Sequence, residues 1–132
     1  MTTKPKMTER EVLALLRVRH VRHGLAGSGE YAFMTHVRNA AGFNSTRTFD
    51  AVIMNLWPSR GMEIEGFEVK SARSDWLREL KDPSKAEVFF RHCAKWWIVE
   101  TVADIVKPDE LPPHWGLLRL VNDELKTLVK AG

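Results

Sequence analysis

Trp96-Trp97-Ile98-Val99 is an apolar run with no alternation, and no other segment constrains the fold as strongly. A strand with apolar side chains on both faces needs cover on both faces, so it belongs near the centre of a sheet flanked by helices. At 132 residues, 44% of them hydrophobic, the chain has the size of one domain and enough apolar material to build its core. The same figures argue against disorder and against a disulfide-stapled miniprotein. The lone Cys93 rules out an internal disulfide and every multi-cysteine zinc motif, and it fits a reducing, cytoplasmic location. Any metal would therefore be held mainly by carboxylates or histidines. The N-terminus lacks a signal-peptide apolar core, and no run approaches the ~18 apolar residues of a membrane span, so no membrane association is expected.

Capping patterns and Gly/Pro punctuation divide the rest of the chain. Thr8-Glu9-Arg10-Glu11 is a capping box, followed by Val12, Leu13, Leu15, Leu16 and Val18 interleaved with Arg17, Arg19 and Arg22. An amphipathic helix with a basic face is the expectation. After a Gly-rich break, Phe33, Val37 and Ala40/Ala41 recur at helical spacing, so a second helix is expected from about Glu30 to Ala41, with a strand over Tyr31–Val37 as the rival. Thr48–Leu56 reads as a buried strand carrying Asp50. Met62–Lys70 reads as its neighbour across the segment WPSRG, with Gly66 hinting at a bend or bulge. Ser74–Leu80 is a short helical turn, and Ser84 with Glu87 caps a further helix that carries Phe89, Phe90 and Cys93. Leu117–Val121 and Leu125–Val129 around Asn122-Asp123 form a closing hairpin. The expected fold class is α/β, a mixed sheet flanked by helices with a C-terminal β-hairpin. The expected organisation is a single domain over 1–132, with a basic helical N-terminal extension at 1–29, a core at 30–121 and the end of the hairpin at 122–132.

The net charge of +3 conceals an asymmetry. Residues 1–47 hold eight Lys/Arg against three acids, a net +5, while the other 85 residues hold 12 against 14, a net −2. A basic front half suits a polyanion, and an acidic remainder supplies carboxylates for chemistry.

Asp50 in a buried strand, and Glu68 with Lys70 on one face of the next, are the residues that carry that chemistry. Side chains two apart on a strand point the same way, so Glu68 and Lys70 share a face while Phe67 and Val69 take the other. Ionised groups in strand interiors are paired, neutralised or bound to a cation, because burying them alone costs several kcal/mol. A divalent ion between Asp50 and Glu68 would meet that need, and hard oxygen ligands suit Mg²⁺, with Mn²⁺ as its substitute. The plainer reading is an Asp50 ion pair with Lys70 or Arg47 and a solvated Glu68. Trp96 and Trp97 are expected in the core rather than as base-stacking platforms. No role is assigned to His20, His23, His36, His92 or His114.

Together, Asp50, the tripeptide Glu68-Val69-Lys70, Ser71, Asp75-Trp76, Lys85 and Cys93 ahead of an aromatic-rich strand resemble the PD-(D/E)XK nuclease superfamily, the restriction-endonuclease-like fold. Small phage and bacterial members, including the MmcB-like DNA repair proteins, are the most similar, over roughly residues 30–120. The resemblance implies that Asp50 and Glu68 bind Mg²⁺, that the Val69 carbonyl completes its shell and that Lys70 serves the attacking water. Many members add a glutamate from the first core helix, a place for Glu30 or, failing that, Glu11. Phe49 stands where the family name puts proline, a position at which many members differ. Arg47, Arg73 and Lys85 are candidates for phosphate contacts.

The implied activity is a Mg²⁺-dependent DNA endonuclease, selective for branched or single-stranded DNA and acting in phage or bacterial repair, recombination or replication. A homodimer would allow paired nicks. The alternative is a catalytically inactive module of nuclease-like fold that binds DNA or a protein partner.

Overall fold

The computed structural model describes residues 8–23, 31–38, 48–55, 64–81 and 94–132. Helix α1 (Glu9–His23) leads into strands β1 (Tyr31–Arg38), β2 (Thr48–Asn55) and β3 (Ile64–Lys70). Helix α2 (Arg73–Lys81), strand β4 (Lys95–Glu100), a 3-10 turn (Pro108–Glu110) and strands β5 (Gly116–Val121) and β6 (Glu124–Val129) follow. The six strands form one sheet in sequence order. Neighbours β1–β2, β2–β3 and β5–β6 are antiparallel, whereas β3–β4 and β4–β5 are parallel. The fold class is thus α/β, a mixed sheet with helices against it, as the sequence led us to expect; among the described residues those helices are α1 and α2.

Each face of the sheet carries its own apolar layer. On one face, Val52, Trp96, Ile98 and Leu117 pack with Trp76 of α2 and with Trp115. The Trp115 indole meets both Trp76 and Trp96 edge-on, at 6.2 Å between ring centroids in each case. On the other face, Val12, Leu13 and Leu16 of α1 pack on Ala51, Ile53, Phe67, Val99 and Leu118. Trp97 stacks on Phe67 there, and its Nε1 donates to Glu65 Oε1 over 2.9 Å. Both tryptophans are therefore core residues, and the WWIV run is covered on both faces because β4 lies between two other parallel-paired strands.

Helix α1 starts where the capping box placed it. Thr8 Oγ1 accepts from the Glu11 amide (3.2 Å), and the Thr8 amide donates to Glu11 Oε1 (3.3 Å). Arg19 does not stay on a solvated basic face. Its guanidinium donates to the Leu125 carbonyl (3.1 Å) and Thr127 Oγ1 (2.7 Å), tying α1 to β6. At the other end of β6, Asn122 and Asp123 take φ of 50° and 63°, the left-handed pair of a two-residue type I′ hairpin turn, which Asn and Asp tolerate well.

Two expectations are corrected. Tyr31–Arg38 is a strand, not part of a second helix. Its apolar spacing suits either period, and seven residue pairs with β2 settle the matter. Gly66 marks no bulge, since it pairs in unbroken register with Val52 on one side and Trp96 on the other. The helix expected around Ser84, Glu87 and Cys93 lies outside the described residues.

Candidate functional site

The β2–β3 ladder runs from Met54↔Ile64 to Ala51↔Phe67 and stops one residue short of Asp50. Beyond that point a side chain replaces the backbone partner, and the Val69 amide donates to Asp50 Oδ2 over 2.7 Å. Alternation puts Asp50, Glu68 and Lys70 on the α2 side of the sheet with Val52, where the two strands begin to part. The opening is a cleft of about 320 Å³ lined by Glu9, Asp50, Glu68, Val69, Lys70, Ser71 and Asp75. All three residues singled out in the strands therefore converge on one cavity. Asp75 enters it from the first turn of α2, while its neighbour Trp76 anchors that helix in the core.

Glu9, in the first turn of α1, is the acid that sequence reasoning missed. Its carboxyl is pushed up from the ordinary value, first by burial and then by the charge of Asp50 and a hydrogen bond to it, with His36 pulling the other way. Two carboxylates in such contact disfavour each other's ionised form unless a proton or a cation lies between them. His36 Nε2 stands 3.8 Å from Glu9 Oε1. The His36 backbone, at φ 53°, is in the left-handed region that a non-glycine residue seldom occupies. The β1–β2 pairs flank it at Thr35↔Ala51 and Val37↔Phe49, opposite Asp50.

Lys70 is 9% exposed and pairs with Glu79 of α2, itself 6% exposed. Asp50 and Lys70 are thus not paired with each other: the carboxylate takes a backbone amide and the ammonium takes a different acid, while Arg47, the other expected partner of Asp50, lies outside the described residues. An ammonium has three donors, so the Glu79 contact leaves Lys70 able to donate into the cleft that it lines. Glu79 follows Trp76 by three residues on the buried face of α2. A charged residue at that spacing from a core tryptophan was the signal that it needed a buried cation.

Three sequence candidates, Glu30, Arg47 and Lys85, lie outside the described residues, as do His92 and Cys93. Glu11 is committed to the α1 cap. Arg73, considered for a phosphate, has its guanidinium on Glu110 through two hydrogen bonds (3.1 and 2.8 Å) and on the Ile105 carbonyl (2.9 Å). With Tyr31–Arg38 a strand, the one described helix ahead of the sheet is α1, and with Glu11 in the cap its first turn offers Glu9.

Among the described residues, no three His, Cys, Asp or Glu side chains converge closely enough to enclose a metal ion by themselves. The donor set is nevertheless of the Mg²⁺ kind. It comprises oxygens only, with two carboxylates in contact and Glu68 lining the same cleft, and Mg²⁺ is typically held by one or two carboxylates with water or phosphate completing the shell.

No protein-family model and no curated protein matches this chain. Among solved structures, it is similar to the SPO1766 protein of unknown function from Silicibacter pomeroyi, with a TM-score of 0.61 and 19% identity over 100% of this chain and 75% of that one. At that identity the likeness concerns the fold alone. Among the described residues, no helix is long and apolar enough to cross a membrane.

Proposed function

We propose that the chain is a Mg²⁺-dependent deoxyribonuclease of the PD-(D/E)XK superfamily, hydrolysing phosphodiester bonds of branched or single-stranded DNA. The observation that carries the reading is the single cleft shared by Asp50, the Glu68-Val69-Lys70 tripeptide and Glu9. The element order gives further support: a helix, three antiparallel strands, a helix, then a strand parallel to the third. That order suits the restriction-endonuclease-like core implied by the sequence resemblance.

In this reading Asp50 and Glu68 would hold the metal, with Glu9 and the Val69 carbonyl beside them. When bound, Mg²⁺ supplies Lewis-acid polarisation of a phosphate oxygen and lowers the pKa of a bound water. The Val69 amide fixes the rotamer of Asp50 by taking Oδ2. Lys70, held by Glu79 at its rear, directs its remaining donors at the water or at the charge that develops on the phosphate. Incubation with supercoiled, single-stranded, flapped and four-way-junction DNA, with Mg²⁺ or Mn²⁺, tests the reading. The wild type is expected to cut and Lys70→Ala to fail. No cleavage of any substrate, or undiminished cleavage by Lys70→Ala, overturns it.

A second reading draws on the Lys70–Glu79 pair, which neutralises the lysine without any substrate. In it the fold is a DNA- or partner-binding module, with salt-sensitive, metal-independent DNA binding and no product.

A further inference from the structure

Beside the acidic cleft, on the far side of Glu9, lies a second groove of about 410 Å³ between α1 and β1. Glu9 lines both cavities, so they adjoin. The character changes sharply across it. The cleft is walled by acids, whereas the groove has Arg10 and Arg17 on its α1 wall, Thr35 and His36 on its β1 wall, and Leu13 with Phe33 as its apolar part. Both volumes fall in the ~300–1,000 Å³ range of ligand sites.

Arg10 and Arg17 are seven residues apart on the exposed side of α1, hence on one helix face and about 10 Å apart along the axis. Neither has an ion-pair partner among the described residues, in contrast to Arg73 and Arg119, and neither is tied to another element by hydrogen bonds as Arg19 is. Two arginines whose backbone positions lie about 10 Å apart along the helix, with no acid on them among the described residues, suit non-adjacent phosphates of a strand whose phosphates advance about 3.4 Å per nucleotide when stacked. Phe33 is half-buried against the α1-side core, with its ring at the groove. A duplex keeps its bases inside and has no use for an apolar wall, but an unpaired base does.

We infer that the α1–β1 groove holds an unpaired DNA strand, with Arg10 and Arg17 on its phosphates and a base against Phe33, and delivers it past Glu9 to the cleft. The inference rests on the nuclease reading for what happens in the cleft, and it makes the substrate single-stranded DNA or the unpaired arm of a branched one.

The test separates the two claims. Binding of a fluorescein-labelled oligothymidylate about 16 nucleotides long is followed by anisotropy in EDTA, and cleavage is followed in Mg²⁺. The double variant Arg10→Ala/Arg17→Ala is expected to raise Kd at least about tenfold and to flatten log Kd against log salt by about 1.4, two contacts at about 0.7 each. Phe33→Leu is expected to weaken binding by about five- to tenfold without changing that slope. Lys126→Ala, on exposed β6, is the control expected to bind and cut as the wild type does. Thermal melts confirm that each variant folds.

If the wild type cuts while the double variant binds with unchanged Kd and slope, the groove assignment fails and the nuclease reading stands. If the wild type binds but does not cut, and the double variant loses binding, the groove stands and the nuclease reading fails. Tighter binding of a blunt duplex of the same length than of the single strand overturns the groove as a track for unpaired DNA, and absence of any binding overturns it outright.

Discussion

From the last residue of β4 onward, every buried or half-buried acid meets an arginine, while in the cleft at the ends of β2 and β3 an acid meets another acid. Glu110 takes a two-pronged contact from Arg73, and its carboxyl is held down to about 2, first by that hydrogen bond and then by the Lys107 amide. Glu100, fully buried, accepts from the Val106 amide (2.9 Å) and from Arg119. In the cleft, four of the lining residues are acids and one, Lys70, is a cation already paired with Glu79. The same residue types on one sheet are electrostatically closed in one region and open in the other. Closed networks explain themselves as structure, whereas an excess of negative charge around a polar cavity calls for a cation from outside.

The largest effects should come from the open cluster. Lys70→Ala is expected to lower cleavage by about 10²–10⁴-fold, the usual worth of a positioned proton donor or acceptor. Under the proposed function Mg²⁺ is expected to stabilise the wild type by about 2.7 kcal/mol at a hundredfold excess over Kd, read from thermal melts with and without the ion, and Asp50→Asn is expected to abolish that gain. A wild type that does not respond to Mg²⁺ would erase the distinction between the two clusters.

Glu100→Gln should act on stability instead. Glu100 is fully buried but Arg119 is only partly so, and weakening their contact should show in urea unfolding as a loss of about 1–3 kcal/mol whether or not metal is present. A loss below about 1 kcal/mol would mean that Glu100 does not depend on Arg119 and that this region is not closed.

Glu9→Gln sharpens the comparison from the other side. A carboxyl raised in the fold weakens the protein as pH climbs from its unfolded to its folded value, so the substitution removes a penalty. Metal-free stability at neutral pH should stay within about 0.5 kcal/mol of the wild type or rise slightly, while Mg²⁺-dependent stabilisation and cleavage fall. A clear loss of metal-free stability would show that Glu9 is held by structure alone.

Glu110→Gln should have the smallest effect at neutral pH and a distinct acid signature. A depressed carboxyl contributes stability that is whole above its ordinary value of 4.5 and lost as pH falls towards about 2. Over that window the variant should be less acid-sensitive than the wild type in melts taken across pH. Parallel acid profiles would place the salt link at a surface where it does nothing.

Much of this was legible in the chain. The WWIV run placed a doubly covered strand, the Thr8/Glu11 box placed the start of α1, and Asn122-Asp123 placed the hairpin turn. Each of these is a local signal in which a few adjacent residues satisfy one another. Asp50, Glu68 and Lys70 were legible for a related reason, since charges in strand interiors stand out against apolar neighbours. What was missed depended on partners far along the chain. Tyr31–Arg38 is an edge strand whose outer residues Met34, Thr35 and His36 are exposed. These three consecutive side chains carry no alternation of burial, and pairing with β2 decides the state of the segment. A helix there would put Glu30 in the first helix before the sheet, whereas a strand leaves that place to α1 and Glu9. Glu79 and His36 were hidden likewise, because each matters only through a residue on another element.

By itself, then, the sequence determined an α/β fold with a central apolar strand, and three charged residues that strand burial obliges to find partners. Tertiary structure decided which partners they found: a backbone amide and the carboxyl of Glu9 for Asp50, and Glu79 for Lys70. The physical reason is that propensity and alternation act between neighbours in sequence, whereas the charge balance of a cavity is set by which elements the sheet brings to its rim.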